Sequence, residues 1–584
     1  RNAVAWTALI AGYVQHECWV EALNCFQQME LEGVTPDVIT WVCVLQACGS
    51  SGDIGKGSEI HATIERKALL ESNLVLGTNL VDMYAKCGML VKACQVLYKL
   101  SVPDAASWNA LISGYVQYEY NEEALDCSDL MQSQGLSLNH VTFACTLKAC
   151  CNIGDMLRGQ EIHAEIARKG VLNSSDFVDN ALIDLYAKCS SFAKAKEVFD
   201  MLEVKSTISW NALISGCVQN DCGEEALRCF EEMQVKGVSP DDITISCILK
   251  ACGRMGIIEK GEQIHADIES KGLVESNLMV GTALLDMYAK CGMLEKSQQV
   301  FDKITAHNTV SWTALIAGYT QHGYNEDALG CFNKMVSYGI SPNANTFVCI
   351  LKACGNSGST EKGNEIYAQV EQNGLVQSNQ IIGNASIDMY AKFGMLAKAQ
   401  EVFEKLPAHD VISWNSLLAG YSQWGSVSDV LHYFERMRED IKPNSVTFLT
   451  VLNACSHAGL LDKGQSYYEA MSEEYGITAL VEHNTCIIDL FGRAAQLERA
   501  VEIMKRTSSH PNIEMWLTIL TACQKWRNVE LARQAFKHIM QIDDKETSAY
   551  TCMYNIYIDS CMQEDAKKVK YMQFKHSGIS THRL

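Results

Sequence analysis

The sequence predicts an all-α protein, a right-handed α-solenoid superhelix of stacked helix-turn-helix repeats. Three observations predict it. The nine residues DMYAKCGML stand at Asp82 to Leu90 and again at Asp286 to Leu294, with DMYAKFGML from Asp388 and a divergent DLYAKCSSF from Asp184, so the four starts are 102 residues apart. Six of the ten tryptophans, Trp6, Trp108, Trp210, Trp312, Trp414 and Trp516, keep the same interval of 102. Around them apolar residues recur at spacings of three and four, the pattern of an amphipathic helix. A single core rarely grows past roughly 250–300 residues, and a fixed repeat is one way a chain of 584 residues can exceed it.

Each period divides into three helical hairpins, about 35 residues from Ala3, 36 from Val38 and 31 from Leu74. The first opens on the Trp helix, as in SWNALISGYVQ from Ser107 to Gln117, and continues into a second helix such as EEALRCFEEMQVKG from Glu224 to Gly237. The closing glycine, followed shortly by Pro36, Pro240 or Pro342, is a helix stop signal. In the third hairpin DMYAKCGML spans the junction of the two helices, with Gly88 and Gly292 at the turn. A lone hairpin leaves its apolar faces uncovered, so neighbours must stack and wind into a superhelix with an inner groove.

Composition narrows the function classes. Hydrophobic residues make up 48% and charged residues 20%, with no low-complexity stretch, and no run of about 18 apolar residues predicts a membrane span. The chain opens RNAVAWTALIAGY, already inside the first repeat, so no targeting peptide can be read and the natural N-terminus is expected upstream. The 25 cysteines fall on helical apolar positions, as in Cys43/Cys48, Cys145/Cys150, Cys247/Cys252 and Cys349/Cys354, and no C-x-x-C occurs. Buried reduced thiols are expected, not disulfides or zinc ligands, and no cofactor is expected. A net charge of −21 argues against gripping nucleic acid over the whole surface but leaves room for a local basic stripe.

The repeats resemble the pentatricopeptide repeat proteins of the PLS subfamily, the plant-type organelle RNA-editing factors. WNALISGYVQ with EALRCFEEMQVKGVSPD looks like the P motif, ITISCILKACGRMGIIEKGEQIHADI like the L motif and LLDMYAKCGMLEKSQQVFDKI like the S motif. Residues 1–512 then form five P-L-S triplets as one RNA-binding solenoid, and residues 513–584 form an E-like C-terminal region. Its second motif departs from the family pattern at its end, where STHRL replaces a basic, Trp-containing close. Tetratricopeptide repeats keep a uniform period of about 34 residues and a different signature.

In this family the fifth residue of a P or S repeat and its last residue together read one base. Mapped here, the resemblance implies the P pairs Thr7/Asp37, Asn109/Asn139, Asn211/Asp241, Thr313/Asn343 and Asn415/Asn444. The S pairs are Thr78/Asp104, Asn180/Ser206, Thr282/Asn308, Asn384/Asp410 and Thr485/Asn512. The chemistry suits the alphabet: guanine and uracil offer a ring N–H that an acceptor-only Asp can take, while adenine and cytosine offer a bare ring nitrogen that suits Asn. Capping of helices explains Asp, Asn and Ser at the last positions but not the restriction to Thr and Asn inside the helix. The L repeats carry Val42, Ala144, Ser246, Val348 and Leu449 in the fifth slot and are expected to act as spacers. Val4, Ile208, Val310 and Ile412 resemble the family's apolar wedges between bases, with core packing as the competing role. Lys86, Lys188, Lys290, Lys392 and Arg493 recur two turns beyond the S readers and are expected to contact RNA phosphate, where the P repeats place Gln15, Gln117, Gln219, Gln321 and Gln423.

The expected role is sequence-specific binding of single-stranded organellar RNA, by a monomer in a mitochondrion or chloroplast. It selects sites for C-to-U editing, with the cytidine deaminase or an accessory protein supplied in trans. Transcript stabilisation or processing, and a protein-binding helical scaffold, are the alternatives. No enzyme is expected: HAE at His163 to Glu165 matches the H-x-E of zinc deaminases, but no P-C-x-x-C follows, and the same slot reads HAT at His61 and HAD at His265.

Overall fold

The computed structural model describes residues 2–172, 175–507 and 512–576, and every regular element among them is an α-helix. STHRL at 580–584 lies outside the described residues. Two compact units divide the chain, Arg1–Ala306 and His307–Leu584.

Within each unit the three-hairpin rhythm holds. In the first, Thr207–Gln219 pairs with Gly223–Val235, Asp242–Met255 with Ile258–Ser270, and Leu278–Lys290 with Leu294–Lys303. First helices pack on one another in chain order, and the second helix of a P hairpin packs on the first helix of the next hairpin. One-turn helices at Leu69–Ser72, Leu273–Ser276 and Leu375–Ser378, between the second and third hairpins, are additions to the predicted scheme. The last two bury Val274 and Val376.

The repeated nonapeptide is a packing template. Met83 lies against Gly57, where an added Cβ would stand 2.7 Å from the Met83 sulfur, and Met287 lies against Gly261 in the same way. The Tyr84 hydroxyl bonds His61 Nδ1 at 3.0 Å, Tyr186 bonds His163 at 2.8 Å and Tyr288 bonds His265 at 2.9 Å. The H-x-E match at His163 is therefore one instance of a recurring interhelical bond, and burial lowers the pKa of all three histidines. Ala187 takes the place under Gly216, where a Cβ would meet the alanine Cβ at 2.1 Å, so the two first helices approach almost backbone to backbone. Gly88 and Gly292 turn the chain at φ of +74° and +75°, where a Cβ would be strained.

Aromatic side chains plug the core of each unit, Trp6, Trp108 and Trp210 in the first and Trp414 in the second, each 1% exposed or less. None of the 25 cysteines is in a disulfide. Burial is the main cause that pushes the Cys48 and Cys150 thiols up to about 12, so they stay protonated and unreactive. In the second unit the helices from Ile513 onward share one hydrophobic cluster with Ile487, Leu490 and Phe491 of the last S hairpin. Acidic residues on the second helices pair with neighbouring repeats, as Lys99 with Glu65 and Lys405 with Glu371, both at 2.7 Å. Exposed pairs of this kind contribute about 0–1 kcal/mol each.

Candidate nucleic-acid interface

All ten last-position residues are helix N-caps. Each accepts a backbone N–H three residues on: Asp37 from Thr40 at 2.7 Å, Asn139 from Thr142 at 3.1 Å, Asp241 from Thr244 at 2.8 Å, Asn343 from Thr346 at 2.9 Å and Asn444 from Thr447 at 3.1 Å. Asp104, Ser206, Asn308, Asp410 and Asn512 do the same for Ser107, Ser209, Ser311, Ser413 and Met515, at 2.7 to 3.3 Å. In every Asp and Asn the cap uses Oδ1. The second terminal atom is Oδ2, an acceptor, in Asp and Nδ2, a donor, in Asn. One side-chain atom thus builds the helix and the other carries the chemical difference. Burial opposes ionisation of Asp37, Asp241 and Asp410, and the hydrogen bonds from the following amides and from Thr7, Asn211 and Asn384 outweigh it, holding these carboxyls below their usual value.

The fifth-position side chains meet their partners most closely in the P hairpins. Asn211 Nδ2 donates to both Asp241 oxygens at 2.9 Å, Asn109 donates to Asn139 at 3.2 Å and Asn415 donates to Asn444 at 3.1 Å. Thr7 lies 3.5 Å from Asp37 Oδ1. Thr313 reaches Asn343 through the hydroxyl of Thr346, which is 2.7 Å from Thr313 and 2.9 Å from the Asn343 oxygen. Among the S hairpins, Asn384 donates to Asp410 at 3.1 and 3.2 Å. Asn180 and Ser206 line one small cavity together with Asp179 and Glu203. Thr78 makes no hydrogen bond to Asp104 among the described residues, and the Thr485 hydroxyl donates to the Val481 carbonyl at 2.9 Å, away from Asn512. Thr282 belongs to the first unit and Asn308 to the second.

The L-repeat residues Val42, Ala144, Val348 and Leu449 are half-buried and Ser246 is buried. The apolar residues ahead of the readers are exposed: Val4 72%, Ile208 65%, Val310 57% and Ile412 62%. Core packing is thus not their role. The same slot holds exposed Ile39, Val75, Phe177, Ile243 and Ile381 in L and S hairpins, which sequence reading missed although the period of 102 marks them.

The five cations sit in the last turn of their helices, where a positive charge complements the helix dipole. Each is paired with an aspartate four residues earlier: Lys86 with Asp82, Lys188 with Asp184, Lys290 with Asp286, Lys392 with Asp388 and Arg493 with Asp489, at 2.6 to 2.8 Å. Such spacing adds about 0.2–0.5 kcal/mol to a helix. A phosphate at these positions would compete with a resident carboxylate. Gln15, Gln117, Gln219, Gln321 and Gln423 are all exposed. Among the described residues no helix is long and apolar enough to cross a membrane, and no group of three His, Cys, Asp or Glu side chains could hold a metal ion.

Stacked two-helix hairpins repeating in this way define a modular helical-repeat protein. The chain belongs to the PPR repeat family, whose pattern matches residues 1–50, 103–152, 205–254, 307–356 and 409–457, with single PPR repeats at 180–206, 282–308, 384–411 and 446–475. A mitochondrial pentatricopeptide repeat-containing protein of Arabidopsis thaliana is 34% identical over 98% of this chain and 65% of its own length. A chloroplastic one is 32% identical over 99% of this chain and 66% of its length, and a third from the same plant is 30% identical over 98% and 83%. The chain thus spans about two thirds of the length of the first two relatives. The crystal structure of the pentatricopeptide repeat protein PPR10 in complex with an 18-nt psaJ RNA element aligns over 99% of this chain and 85% of that one, at a TM-score of 0.59 and 17% identity. PPR10 from maize aligns over 98% and 94% at a TM-score of 0.55 and 16% identity. These likenesses establish the helical solenoid fold.

Proposed function

We propose that this chain is a sequence-specific single-stranded RNA-binding protein of the PLS type. It selects sites for C-to-U editing in a mitochondrion or chloroplast, and a deaminase supplied in trans performs the chemistry. The observation that carries this reading is the division of labour in the last-position residues, where the cap takes Oδ1 and leaves the second terminal atom, an acceptor in Asp or a donor in Asn, uncommitted to the helix. That is the atom that must vary if these side chains discriminate a ring N–H from a bare ring nitrogen. The RNA bound to PPR10, and the mitochondrial and chloroplastic names of the relatives, support the partner and the compartment.

Read in chain order along RNA running 5′ to 3′, with n for each L repeat, the pairs spell G-n-G-Y-n-C-U-n-A-A-n-U-Y-n-A. Thr with Asp gives G, Asn with Asp gives U, Asn180/Ser206 gives C, Thr with Asn gives A, and Asn with Asn accepts either pyrimidine. If the E-like region works as it does in the family it resembles, the edited cytidine lies four nucleotides beyond the final A. Gel-shift titration of this fifteen-nucleotide RNA is expected to show binding at least tenfold tighter than its scramble, as one or two lost base contacts would produce. Equal binding of the two would overturn base reading and favour the protein-scaffold role that the net charge of −21 suits.

A further inference from the structure

The geometry points to Thr40, Thr142, Thr244, Thr346 and Thr447 as positioning residues that orient the P-repeat base readers. This rests on the base-reading proposal above. Each threonine is the third residue of an L hairpin and none exposes any surface. Each hydroxyl reaches back across the hairpin boundary to the fifth residue of the preceding P repeat. Thr142 donates to Asn109 Oδ1 at 2.6 Å, Thr244 to Asn211 Oδ1 at 2.5 Å and Thr447 to Asn415 Oδ1 at 2.7 Å. The Thr40 hydroxyl is 2.7 Å from that of Thr7, and the Thr346 hydroxyl 2.7 Å from that of Thr313.

An asparagine amide is nearly symmetric in shape, so its ends exchange unless hydrogen bonds fix them. At Asn211 both ends have partners: Nδ2 faces the Asp241 carboxylate, which only accepts, and Oδ1 faces the Thr244 hydroxyl at 2.5 Å, whose one proton is shared with Asp241 Oδ1 at 2.8 Å. That leaves one N–H and one oxygen lone pair in defined directions. Helix capping does not account for the contact. At the S-to-P boundaries the equivalent residues are Ser107, Ser209, Ser311 and Ser413, which complete the same caps but donate to the carbonyl of their own cap residue at 2.8 to 3.0 Å. The β-methyl of threonine restricts χ1 and can hold the hydroxyl toward the neighbour, where serine turns back. P readers therefore gain a hydroxyl contact from the following L hairpin, whereas Ser107, Ser209 and Ser413 turn theirs onto their own caps.

The test compares Thr244→Val, which keeps the shape and removes the hydroxyl, with Thr244→Ser, Ser209→Ala and Asn211→Ala. Binding is titrated against four RNAs that differ only at the seventh nucleotide, and each variant is melted by circular dichroism. Thr244→Val is expected to reduce discrimination among the four about fivefold to tenfold, the worth of one hydrogen bond. Thr244→Ser should keep discrimination within about twofold of the unmodified protein, because the donor is retained. Ser209→Ala should shift the melting temperature and leave the seventh-base preference alone. If the unmodified protein discriminates, Asn211→Ala does not, and Thr244→Val matches the unmodified protein, the positioning role is overturned while base reading stands. If the unmodified protein fails to discriminate, both fall. Should Thr244→Val lose its cooperative melt, Thr142→Val at the fourth nucleotide carries the same comparison.

Discussion

Replacing Asp241 by Asn changes one terminal atom, from an oxygen that accepts to a nitrogen that donates. The cap survives the exchange: Oδ1 still receives the Thr244 amide, as Asn139 receives Thr142 at 3.1 Å, and Asp and Asn are near-equal N-caps. Asn211, which donates to both Asp241 oxygens, falls back on Oδ1 alone, the arrangement of Asn109 with Asn139 at 3.2 Å. Losing the charge at the helix N-terminus costs about 0.3–1 kcal/mol, so the fold should stand. The reading edge fares differently. A carboxylate hydrogen bond to a uracil ring N–H contributes about 1.5–3 kcal/mol, and a donor placed there meets a donor. With half-burial of Asp241 favouring the lower end, a change of about 2 kcal/mol moves the U-to-C preference at the seventh nucleotide about thirtyfold toward C. Parallel gel-shift titrations of U7 and C7 RNAs, with a melting curve, measure both quantities. A mutant that melts normally and still prefers U refutes the assignment of this atom to base reading.

Lys188→Ala and Lys290→Ala should weaken matched and scrambled RNAs by a similar factor, and each should reduce the slope of log affinity against log salt by about 0.7 from an initial value near −3 to −4. A slope near zero in the unmodified protein would refute the five phosphate contacts. Carboxyls held below their usual value contribute stability that is complete above the unfolded value near 4 and is lost as pH falls through the folded one. The preference for U at the seventh nucleotide should therefore be the same at pH 8, 6 and 5, with the melting temperature falling only in more acidic buffer. A preference that titrates between pH 5 and 8 would contradict this. Gly216→Ala drives a Cβ to 2.1 Å from that of Ala187 and should destabilise the first unit by about 1–3 kcal/mol in urea unfolding. An unchanged unfolding midpoint would show that the two helices can part.

Most of the fold was legible because the period is written in large buried residues. Trp210 and the nonapeptide at Asp286 mark their hairpins wherever they occur, and the capping residues mark where helices begin. The one-turn helix at Leu273–Ser276 was not, since four residues hold too little periodicity to stand out. At the candidate interface, the cap residues were legible and the contacts between side chains were not. Lys188 was read as a phosphate contact although Asp184, its partner, stands four residues earlier in the same quoted motif, a spacing that already predicts a pair. The reach of Thr244 to Asn211 spans 33 residues and depends on how two hairpins stack, which no local pattern encodes. Exposure removed core packing as a role for Val4 and Ile208, which in the sequence fit a core helix face as well as a wedge.

If the caps read bases as proposed, their double duty shapes how such proteins acquire new targets. Asp, Asn and Ser start a helix almost equally well, and the codons for Asp and Asn, or for Asn and Ser, differ by a single transition. A lineage can therefore alter a letter of its address at Asp241 or Asn139 by one point mutation, with little penalty for folding to filter it out. Selection then acts on which transcript is recognised, repeat by repeat, while the scaffold remains a neutral carrier. On that reading, duplication of the 102-residue period would supply fresh letters, and drift among three interchangeable caps would rewrite them.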